Sequence, residues 1–203
     1  YLTGKELKTV AEIDASVSDL MTSARLYMYG LQFTYNPHRM ILNRVTDVYL
    51  LDADGNRREL EDDKMYRVVA DLYSGQMLSA VTKTSYGLLS VVPKKADGTP
   101  IENFEDVILT DNGGELKAWT AIAHYMESFP DENGDGIADI PQYYAGLHER
   151  KVVDDSSDLI KLIKNPNKYA VMIAGIVLIA ILLVVLLIRL VLKLVKYRTG
   201  KSL

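Results

Sequence analysis

Residues 169–188 form an unbroken run of twenty with no charge and no proline. Wound as an α-helix at ~1.5 Å per residue, the run is roughly 30 Å long, which matches the hydrocarbon thickness of a bilayer. A helix buried in a soluble core needs only an apolar stripe, not an apolar surface all round. A cleaved signal peptide stands at the other end of a chain. The run therefore predicts a membrane anchor. Leu190, Val191, Leu192, Leu194 and Val195 prolong it between basic residues. The expected transmembrane helix covers 169–192, with a basic tail over 193–203.

Charge sets the expected orientation. All 27 acidic residues lie at or before Asp158, whereas Arg189, Lys193, Lys196, Arg198 and Lys201 follow the run. The positive-inside rule puts that tail in the cytoplasm and the acidic portion outside. The overall balance of −4 thus hides an acidic outer domain and a basic inner end. Nucleic-acid binding needs a basic stripe to displace counterions from phosphates, so this class is excluded. The chain has no cysteine. Disulfides, thiolate metal sites and cysteine nucleophiles are excluded with it, and the outer domain relies on its apolar core. Tyr1 opens the chain without a Met or an export signal, which predicts the C-terminal piece of a longer polypeptide.

Residues 5–21 carry Leu7, Val10, Ile13, Val17 and Leu20 at helical spacing. Residues 25–36 change to a period of two, with Tyr27, Tyr29, Leu31, Phe33 and Tyr35 on one side. A second strand is expected over 44–51, closed by the turn Asp52-Ala53-Asp54-Gly55-Asn56. Further strands are expected over 65–71 and 104–110, and a short helix followed by a strand within 72–93. Residues 115–128 place Leu116, Trp119, Ile122, Ala123 and Met126 on one helical face. Residues 130–157 read as polar loop, and Ser157-Asp158 as the cap of a short helix. The fold class is α+β, a mixed and mainly antiparallel sheet with packed helices, followed by one transmembrane helix. The expected layout is a domain over 1–150, a juxtamembrane stalk over 151–168, then the anchor and tail.

Gly4-Lys5-Glu6-Leu7-Lys8, Gly30-Leu31, Asn43-Arg44-Val45 and Tyr66-Arg67-Val68-Val69, in that order, resemble the C-terminal domain of the 5′-nucleotidase family. Gly4-Lys5-Glu6-Leu7-Lys8 is similar to the family's Gly-x-x-Leu-Lys helix start. Gly30-Leu31-Gln32-Phe33-Thr34-Tyr35-Asn36-Pro37 is similar to its Ser-Gly-Leu strand. Asn43-Arg44-Val45 leads into Val48-Tyr49-Leu50 as the family's Gly-x-Arg-Val leads into a strand. Tyr66-Arg67-Val68-Val69 resembles the Tyr-Arg-Val strand before the substrate loop. The resemblance covers roughly residues 1–93.

It implies a nucleoside-recognition role beside an upstream metallophosphoesterase domain. That domain would hold a divalent metal pair and attack a nucleotide phosphate with hydroxide. Two aromatic rings sandwich the base in the family, and here the resemblance implies Tyr86 as the second ring, with Tyr73 as the alternative. Both are equally readable as ordinary core or rim tyrosines. The family's Gly-Gly-Asp-Gly loop is replaced here by Tyr73-Ser74-Gly75-Gln76-Met77, which leaves the substrate open among nucleotides and related phosphate esters. His38, His124 and His148 have no partner at ligand spacing and read as surface or structural residues.

Residues 131–142 give an independent signal. Asp131, Asn133, Asp135 and Asp139 occupy positions 1, 3, 5 and 9 of an EF-hand-type spacing, Gly136 occupies 6, and Ile137 offers its carbonyl at 7. The twelfth position is Gln142 instead of a bidentate Glu. The spacing predicts a structural Ca2+ site, against the alternative of a plain Asp/Gly-rich turn. Two functions remain open: the recognition part of a cell-surface 5′-nucleotidase-like phosphohydrolase, inactive alone, or a non-enzymatic calcium-stabilised binding module on a single anchor.

Overall fold

A computed structural model describes residues 1–18, 25–52, 54–84 and 89–199. Strand β1 (Leu2–Thr3) leads directly into helix α1 (Gly4–Val17). Thr3 is the N-cap: its hydroxyl accepts from Glu6 N at 3.3 Å, and Glu6 Oε2 accepts from Thr3 N at 2.7 Å. This reciprocal box satisfies two amides that the first helical turn leaves open. Glu6 is held further by Val92 N at 3.0 Å and Lys94 Nζ at 2.6 Å. Burial pushes its carboxyl pKa up, but the Lys94 ammonium and these amides outweigh burial and hold it below its ordinary value.

Strand β2 (Leu31–Tyr35) pairs antiparallel with β3 (Val45–Leu51), which pairs with β4 (Arg57–Glu59) across the expected hairpin. Gly55 takes φ +80° in that turn, a conformation that costs a Cβ-bearing residue strain. Leu31, Phe33 and Val48 of the sheet share one core with Leu7, Val10, Ala11 and Ile13 of α1 and with Leu2, Leu60, Leu89 and Val91. The whole is α+β, with a four-stranded sheet ordered β4-β3-β2 and then the strand Lys151–Val153, beside two smaller two-stranded ladders.

The structure corrects several sequence expectations. The strand expected from residue 25 begins only at Leu31, because Gly30 turns at φ +80° and leaves Tyr27 and Tyr29 exposed. The strand expected over 65–71 is only β5 (Met65–Tyr66), paired with β1; Val68 and Val69 beyond it are exposed. Helix α2 (Leu72–Thr84) follows. The strand expected over 104–110 is instead a 3-10 turn at Phe104–Val107, capped by Asn103, then a short hairpin of β6 (Thr110–Asp111) and β7 (Gly114–Glu115). Helix α3 (Ala118–Glu127) forms where expected, but its apolar face is uncovered, with Trp119 72% exposed.

The stretch expected as a stalk at 151–168 is instead part of the domain. Strand β8 (Lys151–Val153) adds to β2 in parallel, with Phe33 opposite Lys151 and Tyr35 opposite Val153. Helix α4 (Leu159–Ile163) is capped by Asp158, whose carboxylate accepts from Ile160 N at 2.8 Å. Helix α5 (Lys168–Thr199) then starts inside the core, with Tyr169 and Ala170 buried. It is long and apolar enough to cross a membrane, and none of its most apolar window is buried within the protein, unlike the core helix of a soluble fold.

The β8–α4 segment is reached by buried polar side chains from the loop after β2. Asn36 Nδ2 donates to Ser156 O at 2.7 Å. Arg39 donates to Asn43 O at 2.7 Å, to Lys161 O at 2.9 Å and to Lys164 O at 2.9 Å. Asn43 Oδ1 accepts from Asn167 N at 2.9 Å, and Asn167 Nδ2 donates to Leu42 O at 2.6 Å.

Candidate functional site

Tyr73 stands in the first turn of α2, where Asp71 sets the helix start. The Asp71 carboxylate accepts from Ser74 N and from the Ser74 hydroxyl, both at 2.8 Å, and these bonds hold its pKa below the ordinary value. Gly75 lets this turn lie against Phe104: a Cβ there would stand 3.0 Å from the ring. Tyr73 is 58% exposed, and Val68, Val69 and Leu72, its neighbours in sequence, are exposed as well. An exposed ring suits stacking on a planar ligand. Tyr86, the other expected ring, lies outside the described residues. The two are not shown together.

A second concave site was not read from the sequence. A cavity of about 340 Å³ is lined by Asp14, Arg25, Tyr27, Tyr35, Arg150 and Lys151 among others. Lys151 Nζ pairs with Asp14 Oδ2 at 2.7 Å and lies 5.8 Å from the Tyr27 ring centre, while Arg150 lies 5.0 Å from that of Tyr29. Cations beside rings suit an anionic or aromatic ligand. The two walls come together only because β8 pairs with β2, more than a hundred residues away in sequence.

The 131–139 loop folds around its own amides. Asp131 accepts from Gly134 N at 2.6 Å and from Gly136 N at 2.9 Å, and its pKa is lowered by these bonds, that from Gly136 first. Asn133 Oδ1 accepts from Asp135 N, Asp135 Oδ1 from Ile137 N, and Asp139 Oδ2 from Glu132 N. Gly136 takes φ +87°. The oxygen donors are of the type calcium takes, yet among the described residues no three His, Cys, Asp or Glu side chains are gathered so as to hold a metal ion. His38 pairs with Asp155 at 2.7 Å and His148 stacks on Tyr143 with centres 4.1 Å apart, while His124 lies in the last turn of α3.

Residues 1–81 match the family model of the 5′-nucleotidase, C-terminal domain. Residues 1–81, about two fifths of the chain, are similar to that domain. The 5′-nucleotidase match spans α1, the β2–β3–β4 meander, β5 and most of α2, so Tyr73 lies within it. Tyr86, the 131–139 loop and α5 lie beyond it. No curated protein and no solved structure matches the chain.

Proposed function

We propose that this chain is the substrate-recognition part of a cell-surface, metal-dependent 5′-nucleotidase or related phosphohydrolase. Hydrolysis belongs in this reading to an upstream metallophosphoesterase domain with its divalent metal pair. The observation that carries it is the domain match over 1–81, which ends on the helix that presents Tyr73. Tyr86 and Tyr73 are the base-stacking candidates. Helix α5 anchors the domain outside the membrane, with the basic end inside, because Arg189, Lys193 and Lys196 follow the apolar run and no acid does.

The apparent mass of the native membrane polypeptide tests this reading. A species much larger than 22.7 kDa with nucleotidase activity is expected. A 22.7 kDa species without it overturns the enzymatic reading and leaves the surface binding module. In the active polypeptide, Tyr86→Ala or Tyr73→Ala is expected to raise KM for a nucleotide about tenfold, since one base–ring stack contributes ~1–3 kcal/mol. KM for a simple phosphate ester should stay within about twofold. Equal effects on both substrates remove that tyrosine from the base site.

The 131–139 loop is proposed as a structural calcium site in which Asp131, Asn133, Asp135 and Asp139 turn toward the ion and Ile137 supplies its carbonyl. Its support is the ligand spacing together with the left-handed Gly136 that the sharp turn needs. Calorimetric titration of the detergent-solubilised protein should give saturable heat at Kd on the order of 0.1–1 mM, as for extracellular modules. At ten times Kd the gain in stability is about 1.4 kcal/mol. Asp131→Ala should abolish both heat and melting shift; if the unaltered chain shows neither, the loop is a turn and nothing more.

A further inference from the structure

Where α5 leaves the domain, a groove of about 410 Å³ lies between α1, β3 and the first turn of α5. Its walls include Lys5, Lys8, Glu12, Asp47, Glu59 and Tyr169. The acids there are already committed. Glu12 accepts from Arg44 N, Val45 N and the Ser16 hydroxyl, and Asp47 and Glu59 both pair with Arg57. Lys8 pairs with Asp62 at 2.7 Å. The Asn167 side chain is likewise spent, donating to Leu42 O and accepting from Tyr169 N and Ala170 N.

Three donors are left over. Among the described residues no carboxylate pairs with Lys5 or with Lys168, which also lines the groove; the Lys168 ammonium lies 4.7 Å from the Tyr169 ring centre. Tyr169 is 4% exposed, and its buried hydroxyl has no hydrogen-bond partner among the described residues. A buried hydroxyl without a partner is costly, so its retention beside two cations free of ion pairs points to something that accepts from it. A groove whose uncommitted polar atoms are donors, two of them cationic, suits an anion with several acceptor oxygens. The groove opens at the first turn of the helix that is long and apolar enough to cross a membrane. At that depth the abundant anions are lipid phosphates, and long Lys side chains reach them readily.

We infer that the groove formed by Lys5, Lys168 and Tyr169 holds the phosphate of an anionic phospholipid headgroup at the outer membrane face. The inference rests on α5 lying in a bilayer with the domain outside, as proposed above. The lipid joins α1 to the root of α5 and so stabilises the domain on its anchor.

The test reconstitutes the full chain into nanodiscs of phosphatidylcholine alone and of phosphatidylcholine with about one third phosphatidylglycerol, and compares the unfolding midpoint of the domain. Anionic lipid is expected to raise the midpoint by several degrees. Lys5→Gln with Lys168→Gln should remove most of that shift, and Tyr169→Phe, which deletes one donor without a cavity, should reduce it. Both lysines are exposed and make no ion pair among the described residues, so the double variant keeps its fold in phosphatidylcholine. A third variant, with Lys193, Lys196 and Arg198 changed to Gln, separates attraction at the other end of the helix and should retain the shift. Loss of the shift in this third variant alone would overturn the inference. So would an equal shift from 10 mM inorganic phosphate in phosphatidylcholine, which would make this a free-phosphate site. A chain that enters nanodiscs but shows no lipid preference also overturns it, whereas a chain that fails to enter tells against the spanning helix itself.

Discussion

Glu12→Ala is expected to lower the unfolding midpoint of the domain by roughly 10 °C, the largest effect of any single change outside the hydrophobic core. Glu12 sits on α1 at 4% exposure and accepts from Arg44 N at 2.8 Å, Val45 N at 2.9 Å and Ser16 Oγ at 2.7 Å. Ser16 in turn accepts from Leu42 N at 2.9 Å, and Leu42 is held at φ +62°, where a side chain is strained. Removing the carboxylate leaves two amides and a hydroxyl without acceptors in a largely buried site, at a cost of about 3–5 kcal/mol. For a domain of this size each kcal/mol moves the midpoint by ~2–4 °C. Glu12→Gln keeps one acceptor oxygen but turns an NH2 toward an amide, so about half the loss is expected. Calorimetry in detergent measures both, and an alanine variant within about 2 °C of the parent would show that the clamp is not needed.

Arg39→Ala should act at the other end of the same loop. The buried guanidinium spans Asn43 O, Lys161 O and Lys164 O, tying the end of α4 to the loop after β2. Deleting it orphans those carbonyls and opens a cavity, for about 3–4 kcal/mol. Arg39→Lys offers a point charge where a planar fork is required and should recover less than half. The specific signature is local: trypsin should cut after Lys161 or Lys164 in the alanine variant at least tenfold faster than in the parent. Unchanged resistance there would mean that β8 and Asn167 hold the segment without Arg39.

Elements governed by local rules were legible in the sequence. The i, i+3 and i, i+4 spacing gave α1, the Asp-Gly turn gave the β3–β4 hairpin, and twenty uncharged residues gave α5. Contacts set by distant partners were not. Lys151–Val153 is a strand only because β2 has a free edge to receive it, and the three residues carry no alternation that a reader could detect. Residues 67–71 have the valines of a strand but no ladder partner, so β5 stops at Tyr66. Glu12, Arg39 and Asn36 look like surface residues until the loop they bind is folded over them. Tyr73 was named as the alternative ring only from its place in the family's pattern, while the Arg150–Lys151 wall of the 340 Å³ cavity was hidden by the same unread strand.

Tyr169 and Ala170, the second and third residues of a 32-residue helix, are core residues of the domain. No swivel separates the two, so with α5 in a bilayer the domain and its anchor move as one body, like a blade on its shaft. A helix of 32 residues is about 48 Å long and leans over when the bilayer is thinner than its apolar length. Any such lean tips the blade by the same angle, and bilayer thickness then sets which way the exposed Tyr73 looks.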